Sequence, residues 1–257
     1  MSNKIAQIVR GRPVALLLQG KSIEELEKRI EEYKNLDICW VSLGLFTTIE
    51  EFILSKINKK LDIVFDCATV PESMLYSYEN NERLPRLEKF LSRTDNNLWI
   101  TSYGIVRDTL YGLHKNDFLN KHSSKIFVVD NLFPKKTISE YMSVPNSVTL
   151  CLGALLSANP KSIVAFGLDG YNGNINQGID SYYKPQYVQI ERQNALNSIN
   201  DEGINRDTIA FKNKGPYFIK KYKSFFKHHT SIRNCSPGTM YPYPTPINYN
   251  EAKKWLV

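Results

Sequence analysis

Six apolar runs of five residues recur along the first two thirds of the chain, and each ends in polar or glycine residues. They are Val14–Leu18 (VALLL), Ile38–Ser42 (ICWVS), Leu61–Phe65 (LDIVF), Asn97–Thr101 (NLWIT), Lys125–Val129 (KIFVV) and Ser162–Phe166 (SIVAF). Near-continuous apolar character over so short a span predicts strands buried on both faces. The stretches between them carry helical signals. Ser22 stands as an N-cap before Glu24 and Glu25 and opens a helix to about Tyr33. Further helices are expected over Thr48–Ile57, around Pro85–Leu91, over about Ile105–Leu119 and over Val148–Ser157. Strands that alternate with helices make βαβ units. The fold class is therefore α/β: an open, doubly wound, mostly parallel Rossmann-like sheet with helices on both faces. In such sheets the ligand lies at the carboxyl ends of the strands.

The texture changes after residue 170. Tyr171–Tyr183 (YNGNINQGIDSYY) is a glycine- and asparagine-rich loop, and loops of this length are usually functional. Two helices are expected beyond it, about Gln186–Ser198 and Thr208–Phe226, then a last strand at Ser231–Asn234. Cys235–Asn248 holds four prolines and reads as an extended tail, before a short closing helix over Asn250–Leu256. Residues 1–257 are taken as one Rossmann-like domain, with 171–257 as its loop-rich, basic, helical extension.

Composition narrows the class. With 257 residues, 42% hydrophobic and 23% charged, the chain has the mix of an ordinary globular protein of one large or two small domains. Disordered, collagenous and coiled-coil chains are excluded. No apolar run approaches the roughly 18 residues of a membrane span, and the N-terminus lacks the apolar core of a secretory signal. Cys39, Cys67, Cys151 and Cys235 form no CxxC pair and are expected reduced, in a cytoplasmic protein, with no metal site. The net charge of +7 is uneven. Thr208–Asn250 contains no Asp or Glu but holds Lys212, Lys214, Lys220, Lys221, Lys223, Lys227 and Arg233 among interleaved tyrosines and phenylalanines. This is either a solvated face or a patch for an anionic partner, such as a nucleotide, an acidic glycan or an anionic bilayer surface. Zinc-finger spacing, an RRM signature and a clear helix-turn-helix are all missing, so nucleic acid is not an expected partner.

Candidate chemistry sits at the strand ends. Gly20, Lys21 and Ser22 form a strand-to-helix turn, where backbone N–H groups suit a phosphate. The preceding Ala15–Gln19 is strand rather than loop, so this is not a P-loop. Asn146 and Ser147 open an apolar helix and serve either as caps or as ligand contacts. Asp169, followed by Gly170, Tyr171, Asn172 and Gly173, places an acid and a loop beside Tyr182, Tyr183 and Lys184. The acid can hold a ribose, a sugar or a metal, and the tyrosines and lysine can clamp phosphate oxygens. Arg206 and Asp207 open a helix and can act as anion clamp and base as well as cap. His228 and His229 at its far end suit a structural role. There is no Ser-His-Asp order, no HExxH and no DxD triplet.

In order and spacing, Val14–Ser22, Asn146–Asp169, Tyr171–Tyr183 and Ile232–Gly238 (IRNCSPG) resemble a group of related Rossmann-like enzymes. These are the bacterial sialyltransferases, the motility accessory factor glycosyltransferases and the archaeal 6-hydroxymethylpterin pyrophosphokinases. The resemblance spans about residues 14–250. Three features depart from it: the family's Gly-Pro-Ser turn is Gly20-Lys21-Ser22 here, Gln19 stands in the neighbourhood of the sialyltransferases' nucleotide-contacting asparagine, and the region of their histidine base reads Asn205-Arg206-Asp207-Thr208, with no histidine.

What the resemblance implies is a transferase of bacterial surface-polysaccharide or lipopolysaccharide biosynthesis. It would be a glycosyltransferase using a CMP-activated acidic sugar, sialic-acid-like or Kdo-like. Gly20, Lys21, Ser22, Asn146, Ser147 and Asp169 would bind the nucleotide. Tyr171, Tyr182, Tyr183 and Lys184 would hold the donor phosphate. Asp207, with Arg206, would take the acceptor's proton. No metal or other cofactor would be required beyond the nucleotide-sugar donor. The partners would be that donor and a glycan acceptor, with an anionic membrane surface, a partner glycan-assembly enzyme or self-association as further options. The expected location is cytoplasmic, peripheral to the inner membrane. Two alternatives stand beside it: an ATP- and magnesium-dependent diphosphate transfer to a pterin-like substrate, with Asp66, Asp130 and Asp169 at the metal, and a non-catalytic module that binds a nucleotide-sugar or glycan.

Overall fold

The computed structural model describes residues 3–18, 20, 22–43, 50–66, 83–101, 120–128, 147–169, 229–236 and 244–257. Its strands are β1 (Pro13–Leu17), β2 (Cys39–Leu43), β3 (Ile63–Asp66), β4 (Leu98–Thr101), β5 (Ile126–Val128), β6 (Ser162–Phe166), β7 (Ile232–Asn234) and β8 (Thr245–Pro246). They form one parallel sheet in the order β5-β4-β3-β2-β1-β6-β7-β8. The chain winds outward from β1 to β5, then returns to lay β6 on the other side of β1. This is the doubly wound α/β arrangement, and its topological switch point lies between β1 and β6.

All five residues of β1 and of β6 are buried, as parallel strands covered on both faces require. Each expected strand is present, within two residues of its expected ends among the described positions. The helices are α1 (Asn3–Val9), α2 (Ile23–Arg29), α3 (Arg83–Leu91), α4 (Ser147–Ser157) and α5 (Tyr249–Trp255). Helix α2 runs on as a 3₁₀ turn over Ile30–Tyr33. Its buried residues Ile23, Leu26, Ile30 and Tyr33 follow helical spacing, so one stripe faces the core. Glu24 and Glu25 at its start and Lys28 and Arg29 at its end complement the helix dipole. Within the helix expected over Thr48–Ile57, residues 50–52 are α-helical and a 3₁₀ turn covers Leu54–Ile57, closed by Asn58 in the left-handed region at φ 54°; 48 and 49 lie outside the described residues. The helices expected over 105–119, 186–198 and 208–226 lie outside the described residues.

Two compact units divide the chain. The first comprises Met1–Val14, Asp37–Thr47 and Lys60–Lys161. In it β2 to β5 pair in parallel, with Val41 opposite Ile63, Ile63 opposite Leu98 and Trp99 opposite Ile126, and α4 packs on α1 and β2. The second comprises Ala15–Leu36, Thr48–Lys59 and Ser162–Val257. Here β7 pairs with β6, Ala165 opposite Asn234, and β8 with β7, while α5 packs on β6. Tyr33 meets Phe166 edge-on with centroids 6.1 Å apart, and Tyr249 tilts against the same ring at 5.9 Å. Such pairs contribute about 0.5–1.5 kcal/mol each beyond area burial. They anchor Phe166, the last residue of β6.

Candidate functional site at the switch point

Beyond β1 and β6 the two segments stay together for a few residues more. Leu18 N–H donates to Phe166 O at 2.9 Å, and Gly20 N–H donates to Gly167 O at 3.0 Å. Gly167 then turns at φ +75°, a conformation glycine adopts without steric cost. A Cβ there would lie 2.6 Å from Leu18 O. At Gly20 a Cβ would lie 2.5 Å from Asp169 Oδ2. Both glycines are therefore set by close approach, one on each side of the crevice.

The approach brings Ser22 and Asp169 into contact. Ser22 N–H donates to Asp169 Oδ2 at 2.9 Å, and Ser22 Oγ–H donates to Asp169 Oδ1. The expected capping by the Ser22 side chain does not occur. Ser22 is the N-cap residue of α2, but its side chain makes no capping bond. The Ser22 backbone is helical, φ −59° and ψ −15°, whereas a capping serine is extended, and its hydroxyl turns to the Asp169 carboxylate instead. Gly20, Ser22 and Asp169 are all half-buried, so solvent and solutes reach them.

This arrangement bears on what the turn can hold. The N–H and O–H of Ser22 already face a carboxylate of the chain itself. A phosphate at the same place would have to displace Asp169 and then lie against its charge. Asp169 instead offers an acceptor to a ligand's hydroxyl or amine groups.

Residues after 228 hold both halves of the contact. Ser236 Oγ accepts from Leu168 N–H at 2.8 Å, and Asn234 Nδ2 donates to Leu168 O at 3.1 Å, both in buried surroundings. Tyr249 Oη donates to Ser22 O at 3.2 Å. The Arg29 guanidinium lies 5.4 Å from the Tyr249 ring centroid. Burial pushes the Tyr249 hydroxyl well above the ordinary tyrosine range, and neighbouring Cys235, Tyr33, Glu25 and Asp169 add to it. Tyr249 thus stays protonated and donates. Burial also pushes the Cys235 thiol up to about 12.

Of the sequence-predicted site residues, the structure brings together Gly20, Ser22 and Asp169. Ser147 is the first residue of α4, in the other unit. Lys21, Asn146, Tyr171, Tyr182, Tyr183, Lys184, Arg206 and Asp207 lie outside the described residues, as do Asp130 and the basic stretch 208–228. Asp66 closes β3, in register with Thr101. Sequence reasoning assigned no role to Asn234, Ser236 or Tyr249. The first two lie within the IRNCSPG segment, which was a usable signal; Tyr249 had none, because its partner is 227 residues away.

In the first unit a pocket of about 140 Å³ opens at the amino ends of β3 and β4, lined by Arg12, Asp62, Arg93, Asp95 and Asn97 among others. Its charges are turned on one another. Arg12 donates to Asp37, Ile8 O and Ile38 O, and Arg93 to Asp95 and Leu61 O. Lys125 donates to Asn97 Oδ1 at 2.7 Å, and Asp62 Oδ2 accepts from Trp40 N–H at 2.8 Å. Burial holds Asp62 above the usual carboxylate range, against the pull of Trp40 N–H, Arg12 and Arg93. This network ties strand starts together and is read as structural. Among the described residues no cluster of three or more His, Cys, Asp or Glu could hold a metal ion, and no helix is long and apolar enough to cross a membrane. No protein-family model and no curated protein matches the sequence.

Proposed function

We propose that this chain is a glycosyltransferase that takes its sugar from a nucleotide donor, with the nucleoside lying over the carboxyl ends of β1 and β6. The observation that carries this is the contact of Ser22 with Asp169 between two close-approach glycines. It lies at the topological switch point, where open α/β sheets bind their ligands. An acceptor-only carboxylate there suits the hydroxyls of a ribose better than a phosphate. The resemblance of the sequence segments to sialyltransferases supports a CMP-linked acidic sugar as donor.

The proposed reaction needs little covalent chemistry from the protein. The acceptor hydroxyl attacks the anomeric carbon, the bond from that carbon to the CMP phosphate oxygen breaks, and CMP departs with the bonding electrons. Asp207 takes the hydroxyl proton, with Arg206 beside it in sequence. Tyr171, Tyr182, Tyr183 and Lys184 are assigned to the leaving phosphate, whose growing charge they would stabilise. Asp169 and Ser22 with Gly20 hold the nucleoside end, with Lys21 between the last two in sequence; for Asn146 and Ser147 a part in nucleotide binding rests on the resemblance alone.

Thermal unfolding against CMP, CDP, UDP, GDP, ADP and ATP, each with and without Mg²⁺, tests the proposal. At 100 times its dissociation constant a ligand adds about 2.7 kcal/mol to stability. A rise in Tm with CMP in EDTA is expected, followed by CMP release from a CMP-linked acidic sugar. A rise only with ATP or ADP plus Mg²⁺ would replace this reading with diphosphate transfer.

A further inference from the structure

We infer that Asn234 and Ser236 are positioning residues for the switch-point site, acting through the Leu168 peptide to hold Asp169 against Ser22. The inference rests on the proposed nucleotide site and deepens it. It begins where β6 stops. Within β6, backbone groups are satisfied by the ladder, as Cys235 N–H donating to Ala165 O at 2.8 Å still shows. At Gly167 the chain turns, and the next peptide groups leave that ladder. Leu168 is 6% exposed, so its N–H and C=O need partners from the protein.

Both partners are side chains of one short segment. Ser236 takes the N–H and Asn234 gives to the C=O; these two residues are 3% and 0% exposed. Two hydrogen bonds of opposite sense on one residue fix the plane of its peptides as well as their position. The next residue is Asp169. Its carboxylate reaches Ser22 only if the turn leaves the strand in this direction. A binding group needs placement to within about 0.5 Å, and these bonds supply that restraint from β7 without touching the crevice. Between them Cys235 N–H continues the ladder to Ala165 O, so the Asn-Cys-Ser order has a physical reason: the side chains of the outer two residues hold the turn, and the backbone of the middle one extends the pairing of β7 with β6.

The test is CMP affinity by isothermal titration calorimetry in EDTA, at a temperature well below every variant's Tm. Ser236→Ala removes the acceptor for Leu168 N–H and is expected to weaken CMP binding about tenfold while the protein stays folded. Ser236→Thr keeps a hydroxyl and should restore affinity to within about twofold. Asn234→Ser removes the donor to Leu168 O, leaves a polar side chain and should also weaken binding, which covers failure of one variant to fold. In an Asp169→Ala background, Ser236→Ala should weaken CMP no further, because residues acting through one group are non-additive. A merely structural role would lower Tm and leave affinity unchanged. If the wild type binds CMP and Ser236→Ala and Asn234→Ser bind it equally well, the positioning role is overturned and the site stands. If the wild type binds no nucleotide, the site itself is overturned and the inference falls with it.

Discussion

Ser22 gives both its backbone N–H and its hydroxyl to one carboxylate, that of Asp169, 147 residues further along the chain. The contact closes the gap where the sheet reverses its winding. It also ties the start of α2 to the turn that follows β6. The glycines on either side, the Leu168 clamp and the Tyr249 hydroxyl all act to keep those two residues together.

The close approach at Gly167 has a stability signature. Gly11 and Gly167 have nearly the same positive φ, +72° and +75°, but a Cβ on Gly11 would meet nothing within 4 Å. Gly11→Ala should therefore show the backbone term alone, about 1–2 kcal/mol. Gly167→Ala adds the collision with Leu18 O and should lose about 1–3 kcal/mol more. Urea unfolding of both variants gives the difference directly. Equal losses would mean that the crevice is wider than described.

The buried thiols should be inert. Cys39 and Cys235 are both fully buried, and burial pushes Cys235 up to about 12 and Cys39 well above the usual thiol range. At pH 8 the thiolate of Cys235 is then present in about one molecule in ten thousand. Iodoacetamide labelling with site-resolved mass spectrometry should leave both unmodified in the native protein and modify both in denaturant.

Much of the frame was legible in the sequence. Strands buried on two faces write themselves as short apolar runs, and β1 to β6 follow VALLL, ICWVS, LDIVF, NLWIT, KIFVV and SIVAF. Helix α1 is not legible there: Ile5, Ile8 and Val9 are buried at helical spacing, but seven residues without an acidic first turn or a basic last turn carry little helix signal. Strand β8 was missed because Pro246 argues against a strand, yet an edge position tolerates it. Gly20, Ser22 and Asp169 were picked as strand-end residues, a rule of topology. Their contact, and the roles of Asn234, Ser236 and Tyr249, depend on which strand lies beside which. A linear pattern does not carry that information.

Asp62 gives the amino-edge network a pH dependence of definite sign. Burial raises its folded-state pKa, so the folded state holds the proton more tightly than the unfolded chain. Its contribution to stability is then present at low pH and falls as pH rises from about 4, the unfolded carboxylate value, through the higher folded value. Asp62→Asn keeps an oxygen for Trp40 N–H and removes the titration. Urea midpoints between pH 4 and pH 8 should show the wild type losing ground to the variant as pH rises. A wild type that gains on the variant over that range would reverse the assignment.

The central claim is that the Ser22–Asp169 crevice binds a nucleoside monophosphate through Asp169. Calorimetric titration of CMP into the wild type and into Asp169→Asn, both in EDTA, tests it most directly. The account predicts saturable binding to the wild type and a loss of at least about tenfold in affinity in the variant, since one good hydrogen bond to a charged group is worth about 1.5–3 kcal/mol. Equal affinity in the two proteins, or no heat from the wild type at millimolar CMP, would contradict it.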